Sequence, residues 1–144
     1  MVAGPDLTPR ERIEAECARR GRSAVVDDCI ALLNGEVEER LILSLTGPAA
    51  ARKYFDGRDH DDLYWFRVWA LRGLLWAWDA RATRQLRAAM SDEAWRVREM
   101  AAKVVARHLV GDALPAVVRL RDDPVPRVRA AADRAVARLT AAEV

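Results

Sequence analysis

The sequence predicts an all-α protein built from stacked helical hairpins, and three observations support this prediction. Its composition is rich in Ala, Leu and Arg, which lose little conformational freedom when they enter a helix. No stretch alternates apolar and polar residues with the period of two that is typical of a strand. The third observation is an internal repeat of 31 residues, which is long enough for one pair of helices.

Acidic, basic, small and apolar positions all keep this register in three segments. The matched sets are Asp61, Asp92 and Asp123; Phe66, Val97 and Val128; Arg67, Arg98 and Arg129; Ala70, Ala101 and Ala132; Arg72, Lys103 and Arg134; and Leu74, Val105 and Val136. So many matched columns do not arise by chance in a chain of 144 residues. Because one hairpin cannot bury its apolar face alone, the repeat predicts hairpins that stack on their neighbours.

Helix-capping residues divide the chain into nine predicted helices. Thr8 and Asp123 each precede a proline and can cap a helix N-terminus, and Glu11 completes a capping box with Thr8. Five glycines are predicted to end helices: Gly21, Gly35, Gly47, Gly57 and Gly111. The predicted helices span residues 8–20, 23–34, 36–46, 48–56, 61–78, 80–90, 92–109, 112–121 and 124–142.

We expect residues 1–144 to form a single domain. Three repeats span residues 48–78, 80–109 and 112–142, whereas residues 1–47 are predicted to form a degenerate repeat with an N-terminal cap. Apolar residues make up 51% and charged residues 32% of the chain, which excludes disordered and membrane-spanning proteins. Arg supplies 22 of the 24 basic residues, a bias typical of GC-rich bacterial genomes.

The charge distribution and the cysteine content indicate what kind of surface and which cellular compartment to expect. The net charge is +2, but residues 1–80 carry −3 and residues 81–144 carry +5, which predicts a basic surface toward the C-terminus. Cys17 and Cys29 are too few for a disulfide framework and are predicted to be small apolar residues in a reducing compartment. The first six residues lack the pattern of a signal peptide, so we expect a cytoplasmic protein.

The later segments resemble a known repeat family. Residues 92–102 (DEAWRVREMAA) and 123–132 (DPVPRVRAAA) open with Asp, carry Val-Arg five and six residues on, and continue into small residues. This pattern resembles the HEAT repeat, and the resemblance covers about residues 48–140. It implies a right-handed α-solenoid of HEAT-like hairpins, in a compact variety whose period falls below the roughly 40–47 residues usual for HEAT.

The resemblance also implies which charged residues are structural. In HEAT proteins the Asp at the turn between helices and the Arg six residues later form a hydrogen-bonded ladder between neighbouring repeats. The residues in these positions are Asp61, Asp92, Asp123, Arg67, Arg98 and Arg129.

A second stripe on the same helices is left for a partner. In HEAT solenoids the second helices line the concave side, which implies one inner surface carrying both tryptophans and basic residues. Arg offers planar donors suited to carboxylate or phosphate, and Trp offers a flat area for stacking. The predicted partner-binding residues are Trp65, Trp69, Arg72, Trp76, Arg96, Lys103, Arg107, Arg127, Arg134 and Arg138. The alternative interpretation is that the arginines form a solvated face and that the N-terminal helices cover the tryptophans.

These features favour a non-enzymatic binding or scaffold module for protein or peptide partners, acidic ones in particular. An alternative is a nucleic-acid-binding protein related to the HEAT-like DNA alkylation-repair glycosylases, which hold DNA with Arg, Trp and a catalytic carboxylate. A purely structural role, in which the chain associates with itself or a neighbour, also stays open. We expect no catalytic residue, cofactor, metal ion or membrane association, because no motif for such chemistry is present.

Two further features are weaker candidates for a functional site. The acidic loop could in principle attract a divalent cation, but it lacks the ligand spacing of a calcium loop. His108 falls on the apolar face of its helix and is predicted to be a packed residue rather than a base. The acidic loop contains Asp56, Asp59, His60, Asp61 and Asp62.

Overall fold

The computed structural model describes residues 7–142 and divides the chain into two compact units, Met1–Asp79 and Ala80–Val144. Within the described residues there are nine α-helices, two short 3₁₀ turns and no strand, which confirms the all-α prediction. None of these helices is both long enough and apolar enough to cross a bilayer. Residues 1–6, on which the expectation of no signal peptide rests, lie outside the described part of the chain.

The N-terminal unit contains five helices: α1 (Pro9–Arg20), α2 (Arg22–Leu33), α3 (Glu39–Thr46), α4 (Pro48–Tyr54) and α5 (Tyr64–Trp76). Helix α5 is the central element, because it packs against α1, α2 and α3. Its buried face is apolar along most of its length. The residues of α5 that are buried are Phe66, Val68, Ala70, Leu71, Gly73 and Leu74.

Predicted capping interactions start and end the first helices. The Glu11 amide donates to the Thr8 hydroxyl at 3.2 Å and the Thr8 amide donates to the Glu11 carboxylate at 3.0 Å, so the capping box is confirmed. Gly21 and Gly47 follow α1 and α3 with φ of +93° and +94°, a conformation that residues with a side chain rarely adopt.

Helix α5 approaches α2 closely at a glycine that the sequence analysis did not single out. A Cβ atom at Gly73 would lie 2.6 Å from the Sγ atom of Cys29 and within 3.6 Å of the Ile13 side chain. Cys29 is fully buried, and this burial raises the pKa of its thiol, so the group behaves as a small apolar residue. The small residue at position 73 therefore sets the distance between the two helices.

A buried polar network joins α1, α2 and α3. Asp28 is almost fully buried and accepts hydrogen bonds from Arg20, from Arg40 at 3.3 Å and from Ser44 at 3.3 Å. Glu16 accepts from both Arg20, at 2.8 Å, and Ser44, at 3.1 Å. The network satisfies the buried carboxylate of Asp28 and accounts for its place in the core.

The C-terminal unit contains two helical hairpins. A 3₁₀ turn, Ala80–Ala82, leads into α6 (Thr83–Ala89), which pairs with α7 (Trp95–His108). A second 3₁₀ turn, Gly111–Ala113, leads into α8 (Leu114–Leu120), which pairs with α9 (Pro126–Ala142). The second helices, α7 and α9, also pack along each other, so the two hairpins stack as the repeat predicts.

The expected Asp/Arg ladder is present inside this unit. The Arg98 guanidinium donates to both carboxylate oxygens of Asp123, at 2.7 and 3.1 Å, and to the backbone carbonyl of Asp92 at 2.8 Å. Arg129 repeats the second contact by donating to the Asp123 carbonyl at 2.7 Å. The side chains of Asp92 and Asp123 each accept from the amide two residues later. One guanidinium therefore ties the first hairpin to the turn of the second.

Three sequence predictions about helix ends are wrong. Asp61 is exposed and has no partner among the described residues, because the neighbouring Asp62 takes the polar contact, from the Tyr54 hydroxyl at 2.9 Å, and α5 begins only at Tyr64. Helix α9 begins at Pro126 rather than beside Asp123, whose side chain forms a turn with the Val125 amide instead. The residue that ends α7 is not Gly111 but Leu109, in the left-handed region at φ +53°.

Candidate functional site

The predicted partner-binding residues fall on the second helix of each hairpin, in both units. Four lie on α5 and six lie on α7 and α9. The N-terminal set is Trp65, Trp69, Arg72 and Trp76, here called the aromatic surface. The C-terminal set is Arg96, Lys103, Arg107, Arg127, Arg134 and Arg138, here called the basic surface.

Two tryptophans of the aromatic surface open onto a pocket. Trp65 and Trp69 are half-buried and line an open pocket of about 440 Å³ between α4 and α5. Each of these two rings is therefore partly covered by its neighbours and partly open to solvent. The pocket is lined by Ala49, Ala50, Lys53, Tyr54, Trp65 and Trp69.

Aromatic packing fixes one wall of this pocket. The Trp69 ring meets Tyr54 and Phe66 edge to face, with ring centroids 5.6 and 5.7 Å apart. Burial, together with the hydrogen bond to Asp62, raises the pKa of Tyr54, so its hydroxyl stays protonated as the donor. Lys53 lies at the rim, with its Nζ atom 4.9 Å from the Tyr54 ring centroid. One wall of the pocket is thus made of aromatic side chains that pack against one another.

Arg72 follows Trp69 by one helical turn and lies on the same face of α5. It is half-buried, and this burial lowers the pKa of its guanidinium. Within residues 7–142 the guanidinium has neither a carboxylate partner nor a hydrogen bond. Partial desolvation without a counter-ion is unfavourable for a cation, so this side chain is suited to an incoming anion.

Trp76 differs from the other two tryptophans of the aromatic surface. The Arg10 guanidinium of α1 lies over its ring, 4.8 Å from the centroid. Its ring therefore stacks against an exposed, charged side chain of α1 in a cation–π contact.

Two of the six side chains of the basic surface pair with one carboxylate. Glu99 of α7 is only 7% exposed and accepts two hydrogen bonds from Arg127 of α9, at 3.0 and 3.2 Å. The ammonium of Lys103 lies 3.8 Å from the same carboxylate. Two guanidinium groups lie over the indole ring of Trp95. That of Arg96 is 4.4 Å from the ring centroid, and that of Arg127 is 5.1 Å from it. These cations therefore stabilise the packing of α7 on α9, in addition to any contact they make with a ligand.

The two residues at the centre of this cluster were not among the predicted binding residues. Trp95 and Glu99 are four residues apart and so share one face of α7. Arg127 stands 31 residues after Arg96, which places it on the neighbouring second helix. The same register places Arg127 on the helix next to Glu99, and this could have indicated an ion pair between the two repeats.

Three other side chains of the basic surface are exposed. Arg107 near the end of α7 and both Arg134 and Arg138 on α9 are open to solvent. Neither Arg134 nor Arg138 has a carboxylate partner within the described part of the chain. These two guanidinium groups lie one turn apart on α9 and present a small area of positive charge.

The remaining candidates have structural partners. In the acidic loop, Asp56 accepts a hydrogen bond from the Arg58 amide at 2.9 Å and contacts His60 Nε2 at 3.0 Å. These contacts lower the pKa of the Asp56 carboxyl. No group of three or more His, Cys, Asp or Glu side chains in residues 7–142 is placed to hold a metal ion. His108 is half-buried at the end of α7.

The comparison with protein families agrees with this geometry. The pattern of the HEAT repeats family matches residues 55–137, which is more than half of the chain. The chain belongs to the HEAT repeat family. HEAT repeats generally mediate protein interactions or scaffolding, and the family is typically non-catalytic. No curated protein and no solved structure matches the chain.

Membership of the HEAT family explains the Asp/Arg ladder but does not identify a ligand. The matched residues contain both stacked hairpins of the C-terminal unit, with the Arg98–Asp123 contact between them. The same fold serves many functions, so the ligand must be inferred from the side chains on the second helices.

Proposed function

We propose that this HEAT-repeat chain is a non-enzymatic binding module that holds an acidic protein or peptide segment on its second helices. The observation that supports it best is the juxtaposition on α5 of an open aromatic pocket with a half-buried arginine that lacks a carboxylate partner within residues 7–142. We also propose that the protein works in the cytoplasm, where its two thiols, Cys17 and Cys29, would stay reduced.

The pocket formed by Trp65, Trp69 and Tyr54 is suited to one large apolar side chain of the partner. Tryptophan and tyrosine are enriched among the residues that dominate binding energy at interfaces. Burial of such a side chain contributes about 1.5–3 kcal/mol before the entropic cost of ordering the partner. The Trp69 ring already packs against Tyr54 and Phe66, and a side chain held by such contacts has less freedom to lose when a partner binds.

Arg72 is suited to a carboxylate on the same partner segment. A guanidinium that is already partly desolvated loses less hydration when it binds than a fully exposed one does. A planar, two-point contact with Asp or Glu would then satisfy it. Since Arg72 is one helical turn from Trp69, the partner needs its acidic and its apolar side chain within a few residues of each other.

The basic surface of the C-terminal unit supports an acidic partner independently. Arg134 and Arg138 are exposed, and charges of this kind increase association rates with an acidic partner more than they increase affinity. Arg96, Lys103 and Arg127 are already engaged around Trp95 and Glu99. We assign these three a weaker contribution to partner binding.

A selection from a random peptide library displayed on phage tests the proposal, with the purified chain immobilised. We expect enriched peptides that carry Asp or Glu within about four residues of a large apolar side chain, the spacing of neighbouring positions on a helix face. Isothermal titration with the best peptide should show binding weakened at least about tenfold by Arg72→Gln and by Trp65→Ala.

The matched control is Arg52→Glu on α4, an exposed residue outside the pocket that has no partner among residues 7–142. It should change the affinity less than about twofold. Peptides without acidic residues, or binding that Arg72→Gln and Trp65→Ala leave intact, would refute the proposal.

Nucleic-acid binding is the second candidate, and one arrangement favours it. Trp95, Arg127 and Glu99 bring a tryptophan, an arginine and a buried carboxylate together, the side-chain types that HEAT-like DNA glycosylases use. The same immobilised protein is therefore offered duplex and single-stranded DNA at low salt. Binding to DNA that weakens steeply with added salt, in the absence of peptide enrichment, would favour this candidate over the first.

A further inference from the structure

The first helices of the C-terminal unit carry an arginine cluster that is separate from the aromatic and basic surfaces. Arg84 and Arg87 lie on α6 and Arg119 lies on α8, and all three residues are exposed. They surround an open depression of about 340 Å³, whose remaining lining is Ala88 and Ala116. Three cationic and two small side chains therefore share one open depression.

No acidic residue neutralises this arginine cluster within the described part of the chain. None of its three side chains has a hydrogen bond or an ion pair there. The segments of α6 (TRQLRAA) and α8 (LPAVVRL) contain neither Asp nor Glu. By contrast Arg121, directly after α8, is paired with Asp133 at 3.2 Å. The free positive charge is thus concentrated at the depression.

The repeat register shows that this arginine cluster is not part of the repeated pattern. An offset of 31 residues aligns Arg87 with Val118 and Ala88 with Arg119, so each arginine has an apolar counterpart in the other repeat. The three arginines line one depression only because two hairpins with different sequences are stacked. The three side chains are exposed, so the packing of the hairpins does not depend on them.

We propose that the arginine cluster binds a phosphate monoester carried on a serine or threonine of a partner protein. A phosphoserine near neutral pH carries close to two negative charges and three terminal oxygens, all of which accept hydrogen bonds. Guanidinium groups bind such oxygens in pairs, and clusters of arginines are a recurring way to recognise phosphorylated segments. A single carboxylate needs only one guanidinium, so three around one depression favour the dianion.

This site is distinct from the one proposed for an acidic segment. The arginine cluster lies on the first helices, α6 and α8, whereas the aromatic pocket lies between α4 and α5 of the other unit. Trp65→Ala should therefore leave phosphate binding unchanged, which separates failure of one proposal from failure of the other.

Binding of a short Gly/Ala peptide with one central phosphoserine, followed by fluorescence anisotropy, tests the proposal. Its counterpart with unmodified serine, inorganic phosphate and a short DNA duplex serve as the other probes. We expect the phosphoserine peptide to bind at least about tenfold more tightly than the serine peptide, with inorganic phosphate as a weaker competitor. The double variant Arg87→Glu/Arg119→Glu should abolish this preference.

The matched control for this experiment is Arg22→Glu/Arg52→Glu in the N-terminal unit. It makes the same change of charge at two exposed arginines that lack partners among residues 7–142. Circular dichroism melting verifies that both double variants fold. The proposal would be overturned if the phosphorylated and unmodified peptides bound equally, or if both double variants lost the same affinity for the phosphopeptide. It would also be overturned if inorganic phosphate bound as tightly as the phosphopeptide, or if the DNA duplex bound more tightly.

Discussion

At the scale of single residues, the side chains that matter most here are those whose surroundings depart from the repeat pattern. The 31-residue register predicts that Trp65, Trp69 and Arg72 share one face, and the structure places them on α5. It does not predict that Trp65 and Trp69 open onto a pocket while Trp76 carries Arg10 on its ring. Both depend on contacts with α4 and α1, and these helices precede the matched columns, which begin at Asp61, so they leave no periodic signal.

Gly73 provides a test of packing at this scale. Gly73→Ala should destabilise the protein by about 1–3 kcal/mol, because the new Cβ would lie 2.6 Å from the buried Sγ of Cys29. Chemical denaturation with urea measures the change in the free energy of unfolding. The matched control is Gly111→Ala, where no atom lies within 4 Å of the added Cβ and the change should stay within about 0.5 kcal/mol.

A substitution at Cys29 tests whether its Sγ atom is what disfavours a larger residue at position 73. Cys29→Ala removes the Sγ atom that the new methyl group would meet. The double variant Gly73→Ala/Cys29→Ala should therefore cost less than the two single costs added together. Simple additivity would mean that the contact between α2 and α5 is not what makes glycine necessary at this position.

At the scale of helices, the sequence predicts most of the architecture, because capping residues and register are local signals. All nine helices were expected, and the capping box at Thr8 is confirmed. The errors occur at Asp61, Asp123 and Gly111, where a side chain or a left-handed residue nearby takes the role assigned to the predicted one. Such choices depend on tertiary contacts that a pattern of single residues does not contain.

The ladder between hairpins predicts a pH dependence of stability. Burial alone would raise the pKa of Asp123, but hydrogen bonds from Arg98 and from the Val125 amide outweigh it, so the pKa lies below its ordinary value of 3.8. The unfolded chain has a value of about 3.9. The contribution of this group is therefore complete above that pH and is lost as the pH falls through the lower pKa of the folded state.

Asp123→Asn should accordingly cost about 2 kcal/mol of unfolding free energy at neutral pH, because the charged hydrogen bonds from Arg98 are weakened. The difference from the unmodified protein should shrink below about pH 4. Denaturant unfolding at a series of pH values measures it. Asp61→Asn, at an exposed residue without a partner in residues 7–142, should show no such difference, and a cost independent of pH would contradict the account.

At the scale of the whole molecule, the charge distribution predicted from the sequence corresponds to particular surfaces. The excess of +5 in residues 81–144 includes Arg134 and Arg138 on α9 and the arginine cluster on α6 and α8. Only the former were predicted from the sequence, because the repeat register was projected on the second helices alone. Helices α6 and α8 follow the 31-residue register but their arginines do not, so only the stacking of the two hairpins shows that Arg84, Arg87 and Arg119 line one depression.

Binding of an acidic segment by α5 through Arg72 can be measured with a double-mutant cycle. Affinities are measured by isothermal titration for the unmodified chain and Arg72→Met, each with the selected peptide and with its acidic residue changed to Gln or Asn. We predict a coupling energy of about 1–3 kcal/mol between Arg72 and that carboxylate. Additive effects of the two changes, with coupling near zero, would contradict binding through Arg72.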